Sequence, residues 1–111
     1  MFEYYIMYDD APAKHVVRDT KYTLQELQAI VGGRIELVRI DAMRRQFSLY
    51  YQESNLPPVH PKYKDMYWMV VNENASELDA EDINEQVYGK LSCSVYGTAV
   101  IAPKESFFGW W

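Results

Sequence analysis

Four places in the chain combine residue types and spacings that could do chemistry: the pair Gly32-Gly33, the histidines His15 and His60, the single Cys93, and the acidic run from Asn72 to Ile83. A glycine pair can cradle phosphate when a strand leads into a helix N-terminus, where free amides and the positive dipole end meet the anion. Here the order is reversed. An apolar helical stretch runs into Gly32-Gly33 and then into "RIELVRI", so the dipole end beside the glycines is negative and they read as a helix stop. His15 and His60 are far apart and have no cysteine pair beside them, which gives no zinc-ligand spacing. The run from Asn72 has Glu77 where a calcium loop needs its turn glycine and Ile83 where it needs a bidentate glutamate, so it is not an EF-hand. Cys93 lies in a β-rich stretch, where free cysteine serves as a small buried hydrophobe rather than a nucleophile. No catalytic residue, metal or cofactor is expected.

Two other groupings suit binding. From Asp65 to Gly89 there are seven carboxylates and no Lys or Arg, whereas the rest of the chain has eleven basic residues against nine acids. Such a segment repels nucleic acid and favours basic partners, with Glu77, Asp79, Glu81, Asp82 and Glu85 as its contacts. Apolar anchors would come from Tyr63 in the Pro-rich loop 53–65 and from Phe107, Phe108, Trp110 and Trp111 in the tail 106–111. That tail either closes the core of its own chain or packs into another subunit or a target. In the alternative grouping Arg34, Arg39, Arg44 and Arg45 hold the phosphate of a nucleotide signal while tyrosines stack on its base, in a pocket between subunits.

The elements that must position these residues follow from periodicity. "MFEYYIMY" alternates, with Phe2, Tyr4, Ile6 and Tyr8 on one side and Glu3, Tyr5 and Met7 on the other, as a strand does. "DDAPAKHVVRD" reads as a loop. Thr23 and Glu26 make a capping box for a helix whose inner face is Leu24, Leu27, Ile30 and Val31, ended by Gly32. A strand over 34–40 then turns through "DAMRR" into a second strand "QFSLYYQ" as a hairpin. After the Pro-rich loop, "MYWMVV" reads as a buried strand, and a helix over 80–88 is capped by Asp79 and ended by Gly89. "LSCSVYGTAVIA" is the last strand. The expected fold is a single α+β domain over 1–111, in the order β-α-β-β-β-α-β, with two helices on one face of a mostly antiparallel, mixed sheet. The N-terminus lacks a basic start and long apolar stretch, and no run suits a membrane span, so the expected location is the cytoplasm of a host cell.

"LQELQAIVGGRIELVRI" resembles the amino-terminal hallmark of a family of small phage, viral and plasmid proteins of unknown function, in which a helix L-x-E-L-Q-x-x-V-G-G leads into an I-E-x-V strand. Asn72-Glu73-Asn74-Ala75 and Gly97 to Ile101 are similar to its later N-E-x-A and G-x-x-V-I segments, so the resemblance covers about residues 22–102. Arg34 departs from the aromatic common after the glycines. The resemblance implies an accessory protein of a mobile element and supplies no catalytic residues. The resulting expectation is a non-enzymatic protein, possible as a homodimer, that binds and inhibits a host protein such as an immune nuclease. The alternatives are sequestration of a nucleotide signal and, against the charge, direct DNA binding.

Overall fold

The computed structural model describes residues 1–42, 44–45, 63, 68–74, 84–91 and 95–107. Strands β1 (Phe2–Met7), β2 (Lys14–Arg18), β3 (Ile35–Arg39), β4 (Trp68–Asn72) and β5 (Ala99–Ala102) form one sheet in the order β2-β1-β5-β4-β3. Helix α1 (Leu24–Val31) lies between β2 and β3, and α2 (Glu85–Leu91) precedes β5. The α+β class is as expected. Among the described residues every strand pair is antiparallel, where a mixed sheet was expected.

The alternation read in β1 places two buried layers on opposite faces of the sheet. Tyr4 and Ile6 join Val70 of β4, Val100 and Ala102 of β5, Leu27 and Val31 of α1, and Phe107. Tyr5 and Met7 join Met69, Val71, Ala99 and Ile101 with Val87 and Leu91 of α2, and with Ile40, Tyr63 and Val95. The helices therefore cover opposite faces rather than one. Strands β1, β4 and β5 are apolar on both sides because both sides are covered.

The chain departs from expectation at four further places. Lys14–Arg18 is not loop but the edge strand β2, paired with β1 from Phe2↔Arg18 to Ile6↔Lys14. Its mostly exposed residues leave no apolar run to announce it. β3 pairs with β4, from Ile35↔Asn72 to Arg39↔Trp68, and residues 40–42 and 44–45 after it are helical rather than a tight hairpin turn. The expected strand "QFSLYYQ" lies outside the described residues. The second helix begins at Glu85, with Gly89 inside it, and ends at Leu91, so the final strand shortens to Ala99–Ala102.

The glycine pair does stop a helix. Gly32 takes φ 82°, ψ 24°, the left-handed geometry that glycine adopts without a Cβ penalty. The N–H groups of Gly32 and Gly33 both donate to the Gln28 carbonyl, at 2.9 and 3.0 Å. A Cβ on Gly33 would stand 3.0 Å from Asn72 Nδ2, which itself donates to the Val31 carbonyl at 3.2 Å. The second glycine thus makes room for a side chain of β4 that helps close the helix end.

At the other end the expected capping box forms. The Thr23 hydroxyl accepts from the Glu26 amide at 3.1 Å, and Glu26 Oε1 accepts from the Thr23 amide at 3.0 Å. Glu26 Oε2 also lies 3.1 Å from Arg18 of β2, whose guanidinium stacks 4.1 Å over the Tyr22 ring. The Thr23 amide first, and Arg18 with it, hold the Glu26 carboxyl below the ordinary glutamate range. A carboxylate with a depressed folded-state pKa stabilises the fold above its unfolded pKa, and that contribution is lost as pH falls through the folded value. The Glu26→Gln variant is therefore expected to be less stable than the parent at about pH 7, with the difference shrinking towards about pH 3. Urea midpoints at the two pH values measure this; a difference of constant size would contradict it.

Candidate functional site

Of the expected acidic contacts, Glu85 is among the described residues; Glu77, Asp79, Glu81 and Asp82 lie outside them, as do Phe108, Trp110 and Trp111. Glu85 is exposed in the first turn of α2, where a carboxylate suits the positive dipole end. Its position is fixed by the residue before it. Asn84, fully buried, caps the helix in place of the expected Asp79: its Oδ1 accepts from the amides of Gln86 and Val87, each at 3.1 Å. Its Nδ2 donates to the Met7 carbonyl at the end of β1, at 2.7 Å, and to the Gly97 carbonyl ahead of β5, at 2.8 Å. Its backbone N–H donates to the Val95 carbonyl at 2.9 Å.

All four hydrogen-bonding positions of the Asn84 carboxamide are used, so a buried polar side chain is carried without an orphaned atom. Gln86 extends the clamp. Its Nε2 donates to the carbonyls of Tyr8 and Ala11, at 2.7 and 2.6 Å, which fastens the connection from β1 to β2 onto the same helix. Sequence reasoning missed Asn84 because the carboxylates upstream offered capping groups of equal quality. The available signal was an Asn three positions ahead of an apolar i, i+4 pair, here Val87 and Leu91.

The aromatic anchors divide. Tyr63 is buried, set edge-on against Tyr5 with ring centroids 5.1 Å apart. Phe107 is fully buried and meets Tyr4 edge-on at 5.9 Å. Both rings belong to the core of their own chain, which corrects their assignment to a partner surface. The tail thus folds back at least as far as Phe107, after a short 3-10 turn at Lys104–Ser106. The Tyr4 hydroxyl secures it, donating to the Ser106 carbonyl at 2.7 Å and accepting from the Tyr22 amide at 3.1 Å. Burial pushes the Tyr4 hydroxyl above the ordinary tyrosine range, against the lowering effect of the Tyr22 hydrogen bond.

Of the arginine grouping, two members are spread along one strand. Arg34 precedes β3 and Arg39 ends it, about 16 Å apart along an extended strand. Arg34 lies 3.8 Å from Glu73 and is largely exposed. Arg39 lies 2.9 Å from Asp41 and 5.9 Å from the Trp68 ring. Arg44 is half-buried and Arg45 exposed in the helical residues beyond. His15 stacks on Tyr5, its cross-strand partner, with centroids 4.5 Å apart, and its Nε2 stands 3.4 Å from Glu3. His60 and Cys93 lie outside the described residues. Among the described residues no three His, Cys, Asp or Glu side chains group as metal ligands, and no helix is long and apolar enough to cross a membrane.

These features define an α+β protein whose antiparallel sheet is covered on both faces and whose helix α2, with exposed Glu85 in its first turn, is hydrogen-bonded to the chain around β1 and β5. No protein-family model, curated protein or solved structure matches the chain.

Asn84→Ala would strand two carbonyls and remove the cap from two amides. At about 1 kcal/mol for the cap and about 1–3 kcal/mol for each of the two buried carbonyls left unpaired, the expected loss is about 3–7 kcal/mol in urea unfolding. The exposed neighbour change Glu85→Ala is expected to cost less than about 0.5 kcal/mol. Equal costs for the two variants would show that the clamp does not hold the helix.

Proposed function

We propose that this chain is a non-enzymatic accessory protein of a phage or mobile element that binds and inhibits a host protein, with a nuclease of a host defence system as the target class. The observation that carries this reading is the charge distribution. Seven carboxylates and no basic residue occupy 65–89, and a nuclease presents a basic surface to its nucleic acid, which such a segment can occupy in its place. Glu85, the last carboxylate of that segment, is exposed on a helix fixed to the sheet through Asn84 and Gln86. A pre-fixed contact loses less conformational freedom on binding than a mobile one. The polar groups with the most buried settings, Asn84 and the Tyr4 hydroxyl, are already occupied by bonds within the chain, which favours a scaffold over a reacting centre. The resemblance of residues 22–102 supplies the mobile-element setting.

Expression of the chain in cells that carry nuclease-based defence is expected to raise the plating of a restricted phage. The triple variant Glu81→Lys, Asp82→Lys, Glu85→Lys, checked for an unchanged unfolding midpoint, is expected to lose that protection and its salt-sensitive affinity for the nuclease. No protection across a panel of nuclease-based systems would contradict the inhibitor reading. Full protection by the triple variant would instead remove the acidic segment from the contact.

A further inference from the structure

We propose that the outer edge of β2 is a docking site for an extended peptide that reads apolar-x-acidic, added to the sheet as a further antiparallel strand. The inference stands apart from the acidic segment and uses different residues. β2 pairs with β1 on one side, and among the described residues no strand pairs with its other side. Its register runs unbroken over five pairs from Phe2↔Arg18 to Ile6↔Lys14, and it contains no proline. It lacks a bulge or proline, and its short length and the charges of Lys14 and Arg18 are what guard it against non-specific pairing. Lys14, His15 and Val17 are exposed, with Val17 48% accessible.

Charge specifies the occupant. β2 carries three basic side chains and no carboxylate. Arg18 is answered by Glu26 at 3.1 Å and His15 by Glu3 at 3.4 Å. Lys14 sits across the ladder from Ile6, and no carboxylate of the described residues comes within ion-pair distance of it. The open side of the edge is where a partner's carboxylate can reach Lys14. Val16 shares a face with Lys14 and packs at the margin of the α1 layer, so the residue opposite Val16 is apolar. In an antiparallel partner the acidic residue then follows the apolar one by two positions.

A second copy of the chain fits less well. Antiparallel self-pairing centred on Val16 would set Lys14 opposite Arg18 of the other copy, twice, and like charges directly opposite across a ladder are destabilising. A five-residue edge is also short for the roughly 1,200 Å² or more that stable interfaces bury.

The test is a titration of isotope-labelled protein, followed by amide NMR shifts, with the peptide acetyl-Thr-Thr-Val-Thr-Glu-Thr-amide and with its counterpart carrying Lys in place of Glu. The expected result is saturable shifts at 14–18 and across β1, with the Glu peptide bound about threefold or more tighter, as opposed charges across a ladder imply. Lys14→Glu, at an exposed strand end, is expected to invert that preference, and Lys14→Gln to abolish it. Shifts that are absent or lie away from β2, equal binding of the two peptides, or self-association of the chain through β2 by light scattering would each overturn the proposal.

Discussion

The buried carboxamide of Asn84 is the interaction on which the arrangement of α2, β1 and β5 depends. It spends two donors on the Met7 and Gly97 carbonyls and two acceptor positions on the Gln86 and Val87 amides, in a site without solvent access. A side chain that both begins a helix and hydrogen-bonds two separate strand ends fixes the helix in direction and in register. Val87 and Leu91 then fall on the sheet face lined by Met7, Met69, Ala99 and Ile101. A carboxylate in the same place could cap the helix but would meet two carbonyl oxygens with no hydrogen to offer them. That is the physical reason for an amide among so many acids.

The opposite face is closed by a hydroxyl rather than an amide. Tyr4 joins the Tyr22 amide, ahead of α1, to the Ser106 carbonyl, beyond β5, and its ring meets those of Tyr22 and Phe107. The N-terminal strand thereby holds both the entry to α1 and the C-terminal turn. β1 is the strand whose two faces carry the two closures. Its odd residues meet the α2 layer and its even residues the α1 layer.

Local signals were the legible part of the sequence. The Thr23 and Glu26 capping box, the Gly32 stop and the face alternation of β1 depend on contacts within a few residues, and the structure has them where their spacing puts them. Placement of the helices on opposite faces was available in principle, because "WMVV" and "AVIA" are continuous apolar runs rather than alternating ones, the pattern of strands covered twice. β2 was illegible for the converse reason: an edge strand with one solvent-facing side needs little apolar content. Asn84 was hidden because its partners lie at Met7 and Gly97, and no local pattern records a bond over that separation. The same holds for Tyr63 and Phe107, whose aromatic character suits an interface or a core equally until the fold shows which neighbours they meet.

Among the described residues the sheet carries exposed Glu85 at the head of α2 on one side and the basic edge strand β2 at one margin. A helix head fixed in this way requires that α2 stay fastened when the rest of the chain is folded. Native-state hydrogen exchange at low denaturant tests this most directly, read at the Asn84 carboxamide, at the Asn84 amide bonded to Val95 and at the Tyr88 amide bonded to Asn84, against the amides of β5. The account predicts that all of them exchange only through global unfolding, with one opening free energy and one denaturant slope. Exchange at Asn84 and Tyr88 through a smaller opening, while β5 stays protected, would contradict it.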